Sequence, residues 1–197
     1  MLSGVTVLLV SCQGPRCNEL TMSYDDISRP LPVMTCGTAT SYALATFLLH
    51  KNPEADVSEA FTVAGHYLQE AAIEGVNHDV AFCQMCLETN YLRFGGDVHR
   101  RQNNFCGLGA TGHGVAGNSF ESTQMGIRAH IQHLKAYASR KSLQRRLVDP
   151  RFGRVRRGSA PHVEDLTGKW AVDPQYGAKI RRLLQSLARQ LQCNGSA

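Results

Sequence analysis

The chain has 197 residues, of which 43% are hydrophobic and 19% charged, and its 21 Lys and Arg against 16 Asp and Glu give a formal net charge of +5. That length holds one domain with a real core and is marginal for two, and the composition is that of a globular protein. The mild basicity suits a polyanion or an anionic cell surface without choosing between them, and no run reaches the roughly 18 apolar residues of a transmembrane helix.

The N-terminal stretch "MLSGVTVLLVSCQG" has an apolar core too short for a secretory signal and no Lys or Arg before it. "LVSC" resembles the lipobox of bacterial lipoproteins, in which Cys12 would be lipidated and anchor the protein to a membrane; a buried strand is the alternative. Residues 1–35 carry Pro15, Pro30 and Pro32 without a sustained period and read as leader and linker, leaving 36–197 as the folded domain.

From Thr40 the pattern becomes helical. "TSYALATFLLHKNP" has a broad apolar face and stops at Pro53. A second helix follows in "VSEAFTVAGHYLQEAAIEG", with Ser58 as N-cap and Gly75 as its stop. The third spans Asn77 to Tyr91, with Asn77 as cap and Asp79 in its first turn. Residues 92–119 read as a polar, Gly-rich loop with room for a short hairpin. "SFESTQMGIRAHIQHLKAYASRK" then forms a long helix. Residues 141–168 read as loop with short helical turns, one starting at Pro161. The last helix has Asp173 as N-cap, Pro174 at its first position and an apolar stripe running from Tyr176 to Leu191. The expected fold is all-α (α+β at most), with five main helices.

Glu88 is the one acid in the apolar run from Phe82 to Tyr91. It sits in the last turn of its helix, where burial and the negative end of the helix dipole both disfavour the carboxylate. An acid kept protonated near neutral pH is what glycosidic-bond cleavage requires. Position on the helix alone leaves this reading level with a salt bridge to Arg93 or Arg128. The loop that follows has seven glycines from Gly95 to Gly117, which permit close approach to a ligand. Asn103 and Asn104 suit sugar hydroxyls and N-acetyl groups, and Phe94, Phe105 and Trp170 offer flat faces to a sugar ring. No phosphate loop is present, because the Lys of that motif is missing.

Cys83 and Cys86 form C-x-x-C in mid-helix with no second pair, so they read as core packing rather than a metal site; a zinc site with His99, His113 and Cys106 is the alternative. A Cys106–His113 nucleophilic pair is a further candidate. Of the seven cysteines most are expected as free, buried thiols. No metal and no cofactor are called for. "RFGRVRRG", residues 151–158, reads as a solvated basic loop, or as a nucleic-acid contact lacking any recognisable motif.

"AFCQMCLETNYLRFGGDVHRRQNNFCGLGATG" resembles the core of bacterial glucosaminidase domains, the endo-β-N-acetylglucosaminidases of glycoside hydrolase family seventy-three, whose pattern places E-T/S-G-W on a helix and N-N-x-x-G in the next loop. "GIRAHIQHLKAYA", "VDPRF" and "GKWAVDPQYGAKI" are similar to later blocks in the same order, so the resemblance covers about Thr40 to Leu187. It implies a lysozyme-like helical domain with a cleft and a very small or absent β-lobe. The implied activity is hydrolysis of the β-1,4 glycan bonds of peptidoglycan after N-acetylglucosamine. It carries the catalytic acid onto Glu88, the cleft border onto Asn103, Asn104 and Phe105, and a cleft position near the acid onto Trp170, where many members have Tyr. Asp173, Pro174 and Tyr176 match a block read as mainly structural. Asn90 stands where the family usually has Gly, and Tyr91 where it has Trp. The second acid of many members has no clear counterpart: Asp97 is the nearer candidate, and Glu121 is at about the right separation but at the start of the next helix. Without one, water or the substrate's own N-acetyl group would assist. The resemblance implies a monomer acting on glycan strands in the cell envelope or outside the cell, lipid-anchored if Cys12 is modified. A wall-binding or scaffolding protein of the same fold is the alternative function.

Overall fold

The computed structural model describes residues 24–95, 97–110, 112 and 114–194, and among these it contains five α-helices and no strand. They are α1 (Ser41–Lys51), α2 (Val57–Glu74), α3 (His78–Glu88), α4 (Thr123–Ala138) and α5 (Tyr176–Asn194). Single 3-10 turns occur at Arg100–Gln102, Phe152–Arg154 and Glu164–Leu166, and among the described residues the strand-like pairings are the isolated bridges Pro32–His162 and Thr167–Ala171. The all-α expectation holds.

The starts of the helices follow from their caps. Thr40, Asp56, Asn77 and Ser122 each turn a side-chain oxygen toward the free N–H groups of the first turn. For α2 the cap is Asp56 rather than Ser58, because Val57 already has helical geometry. Gly75 ends α2 at φ 74°, the left-handed stop expected of it. The helix proper of α5 begins at Tyr176, and Asp173 instead caps the turn before it, accepting the amide of Gln175 at 2.9 Å.

The central element is α3. Every residue from Asp79 to Cys86 is buried, and all four other helices pack on it. A helix with no solvent face belongs in the middle of a bundle. Cys83 and Cys86 are free thiols at 0% exposure in that core, so the C-x-x-C spacing serves packing. Cys106 is also free and buried, whereas Cys36 is disulfide-bonded, which the expectation of mostly free thiols did not foresee.

The domain boundary drawn at residue 36 falls inside this packed unit. Tyr24, Leu31 and Val33 are core residues, and the Tyr24 hydroxyl donates to Asp79 at 2.7 Å. Arg181 of α5 donates to the carbonyls of Asp26 and Arg29, so residues 24–35 are strapped across α5 rather than forming a linker. The Cys12 segment lies outside the described residues. No helix among those described is long and apolar enough to cross a membrane.

Candidate active site

α3 ends at Glu88, three residues before Tyr91, because the chain there turns left-handed. Asn90, Tyr91 and Leu92 take φ of 49°, 55° and 62°. Such a run is strained for ordinary side chains and must be held from outside. Thr89 holds it: its hydroxyl donates to Met85 O at 2.8 Å and accepts Leu92 N at 2.9 Å, while its carbonyl accepts Phe94 N at 2.7 Å. Asn52 adds a bond from its side-chain amide to Tyr91 O at 2.8 Å. Asn tolerates the left-handed region better than most residues. Asn90 therefore fills the position where the resembled family has Gly without demanding a different backbone.

This abrupt turn leaves Glu88 as the terminal residue of the central helix, facing Trp170, Tyr176 and Gly107. Its Oε1 accepts the indole N–H of Trp170 at 3.0 Å and the hydroxyl of Tyr176. Oε2 lies toward Gly107, where an added Cβ would sit 3.7 Å away. Gly107 has φ 65°, so a side chain there would be strained and would also cover that oxygen. Burial pushes the Glu88 carboxyl above its ordinary range, and the Tyr176 and Trp170 hydrogen bonds pull only partly against it. The salt-bridge reading is not realised: Arg128 pairs with Glu70 at 2.9 Å and Arg93 donates to the Lys51 carbonyl.

Behind Tyr176 runs a buried chain of polar groups. The Gln84 side-chain N–H donates to the Tyr176 oxygen at 2.9 Å, and Gln84 Oε1 lies 3.0 Å from His130 Nε2. His130 Nδ1 lies 2.8 Å from the Tyr67 hydroxyl. Burial lowers the His130 pKa to about 3, so the ring is neutral. Since Gln84 Oε1 can only accept, the single ring proton sits on Nε2 and Tyr67 donates to Nδ1. Every donor from Tyr67 through His130, Gln84 and Tyr176 therefore points toward Glu88.

Trp170 is brought to Glu88 as the resemblance implied. Its ring is wedged among His133, Tyr137 and His130, with centroids at 5.1, 5.5 and 5.6 Å. It borders a cleft of about 240 Å³ lined also by Gly107, Leu108, His133, Tyr137 and Arg151.

The asparagines are placed otherwise than as sugar ligands. Asn104 is 0% exposed, its amide donates to Leu108 O and Asn118 O, and its oxygen accepts Leu108 N at 2.9 Å and Cys106 N at 3.4 Å. Its hydrogen-bonding capacity is used up inside the loop. Asn103 donates to Phe120 O at 3.0 Å and has φ 49°, tying the loop to the entry of α4. Phe105 is 2% exposed and packs on Phe94, so neither face is open to a ring. These residues build the loop that carries Gly107; their contribution to the site is its shape. Asp97 is partly exposed, and its Oδ1 accepts Gly114 N at 3.0 Å, closing the loop on itself. Glu121 is exposed and lines a different hollow, with Phe120, Met125 and Arg146. His113, proposed as a partner for Cys106, lies outside the described residues, and burial raises the Cys106 thiol well above its ordinary value. Among the described residues no group of three His, Cys, Asp or Glu could hold a metal ion.

Tyr176 belongs to the block that reading the sequence took as mainly structural. Its place on the apolar stripe of α5 hid its hydroxyl, and only the packing of α5 on α3 shows where that hydroxyl goes.

A helical, lysozyme-like domain with one protonation-prone acid at the end of its central helix is the class that the fold and site define. A family model described as glucosaminidase, mannosyl-glycoprotein endo-β-N-acetylglucosaminidase, matches residues 64–189, and the chain belongs to that glycoside hydrolase family. It is also 49% identical over 153 residues, 78% of this chain and 75% of the relative, to an uncharacterized protein of Borreliella burgdorferi. No solved structure matches it.

Proposed function

We propose that the protein hydrolyses β-1,4 bonds of peptidoglycan glycan on the reducing side of N-acetylglucosamine, with Glu88 as general acid. The observation that carries this is the division of labour on the Glu88 carboxyl. Oε1 is anchored by two neutral donors, which leaves Oε2, on the side of Gly107, to carry the proton; Gly107 and Trp170 both line the cleft. Glu88 passes that proton to the glycosidic oxygen as the C1–O bond breaks. A water then adds its hydroxyl to C1, and its remaining proton replenishes the acid. The negative charge left on Glu88 meets the Tyr176 and Trp170 donors, and the chain behind Tyr176 polarises that hydroxyl further.

Glu88→Gln removes the proton and keeps the shape. Release of reducing ends from purified peptidoglycan should disappear while circular dichroism and melting stay as in wild type. Full activity in this variant would refute the assignment. Asp97 is our candidate for the group opposite Glu88. If Asp97→Asn loses turnover by about 100-fold or more with folding intact, it serves there; if the rate persists, the substrate's N-acetyl group or a water does. A glycan that binds without being cut would favour the scaffolding alternative.

We further propose that the protein works in the cell envelope or outside the cell. The Cys36 disulfide supports an oxidising compartment. Attachment through a lipidated Cys12 is tested by mass analysis of the mature N-terminus.

A further inference from the structure

The charge of this protein is concentrated in one segment. Residues 140–157 hold eight of its 21 Lys and Arg and one acid, Asp149. Outside that segment acids outnumber Lys and Arg, so the whole basic excess resides there. Elsewhere several cations are paired in the fold: Arg128 with Glu70, Lys135 with Glu74, Lys179 with Asp173, Arg181 with Glu164 and Arg100 with Glu59. None of the eight cations between 140 and 157 pairs with a carboxylate among the described residues. Asp149 is 2% exposed and turned inward to His133 at 2.8 Å.

This segment has little regular structure, yet buried side chains of α2 and α4 fix its backbone. Glu74 accepts the amides of Gln144 and Arg145 at 3.0 Å each. Gln132, fully buried, donates to Arg146 O at 2.9 Å and accepts Val148 N at 2.8 Å. Asp149 accepts Arg151 N at 2.8 Å. Three buried polar groups thus spend hydrogen bonds on holding a loop whose own cations form no salt bridge among the described residues. The mutual repulsion of those cations costs stability that the anchors offset.

The segment also reaches the cleft, through Arg151. Arg151 lines the hollow beside Trp170 and Gly107, and Arg146 lines the neighbouring hollow of about 470 Å³ at the entry of α4. We infer that residues 140–157 form a binding rim for the carboxylates of the peptide stems borne by the glycan, making peptide-bearing strands the preferred substrate. The inference rests on the glycan-hydrolase reading and names its substrate class more narrowly. Continuity with the cleft is what favours groups carried by the substrate itself over a separate polyanion.

The test compares intact peptidoglycan with the same glycan stripped of peptides by an amidase. For wild type, kcat/KM should be about tenfold higher on the peptide-bearing polymer, with the advantage falling as salt is raised. In the double variant Arg146→Gln/Arg151→Gln the ratio should fall toward one. Equal rates on both polymers in wild type, or a ratio unchanged in the variant, would overturn the inference. So would inhibition by duplex DNA or by phosphatidylglycerol vesicles at lower charge concentration than by free stem peptides. If neither polymer is cut, the hydrolase reading fails. Co-sedimentation of Glu88→Gln protein with the two polymers then still reports whether the rim selects peptides: a preference removed by the two substitutions supports it, and equal binding overturns it.

Discussion

Glu88 shows how a single carboxyl acquires two unlike oxygens. Oε1 is held by Tyr176 and Trp170, and Oε2 lies toward Gly107. Removing the Tyr176 hydroxyl should act on the pH profile as well as on the rate. That hydrogen bond pulls the Glu88 pKa down against burial, so its loss lets the pKa rise further. In Tyr176→Phe the alkaline limb of activity should therefore move to higher pH, while kcat falls roughly 10- to 100-fold because the developing carboxylate loses a donor. A limb moving to lower pH would contradict the geometry. Tyr67→Phe, at the far end of the chain of donors, should shift the limb in the same direction by less. Glu88 was legible as a candidate from its lone position on an apolar run. Tyr176 was not, because a tyrosine at helical spacing looks like any other core aromatic.

At the level of elements, the decisive contact is between the Asn103–Gly117 loop and α4. A Cβ added at Gly126 would lie 1.7 Å from the Asn103 carbonyl oxygen, so only glycine lets the loop dock on that helix. Gly126→Ala should cost about 3 kcal/mol in urea unfolding, with the m-value unchanged. It should also lower turnover, since the same loop carries Gly107 to Glu88. An unchanged urea midpoint would refute this. The asparagine pair was read as a sugar contact from its chemistry, and Asn104 instead satisfies the loop's own backbone. The amide groups that make Asn a good sugar ligand make it equally good at closing a turn, and sequence cannot show which backbone lies within reach. Helix starts fared better: Asn77 caps α3 as its sequence indicated, because capping is a local event.

Across the whole molecule, stability should depend on pH through His130 and Glu70. Burial holds the His130 pKa at about 3 against 6.5 when unfolded. Between those values the unfolded chain binds a proton that the fold refuses, so stability falls as pH drops through 6.5 toward 3, with a slope of up to about 1.4 kcal/mol per pH unit from this residue. Glu70 is shifted the other way: burial raises its pKa, but hydrogen bonds from Arg128 and Gln124 and the Arg128 charge outweigh it and leave it lowered. Its contribution is present above 4.5 and lost as pH falls below that value. Both effects therefore weaken the fold in acid. His130→Gln should remove the fall in melting temperature between pH 6.5 and 4.5, leaving the opposite contribution of Glu88, whose raised pKa favours the fold as pH drops toward 4.5. An equally steep curve in the variant would show that the buried ring is not its source.

By itself the sequence determined the helical class, four of the five helix starts to within a residue or two, and the family through blocks in order, and it singled out Glu88 as the candidate acid. All of these depend on short-range spacing and capping. Tertiary structure alone decided that α3 is the enclosed centre of the bundle and that residues 24–35 belong to the core. It decided, too, that Tyr176 and Trp170 share one oxygen of Glu88, and that the basic segment brings Arg151 to the cleft. Each of these joins residues tens of positions apart, and such contacts exist only once the helices have packed.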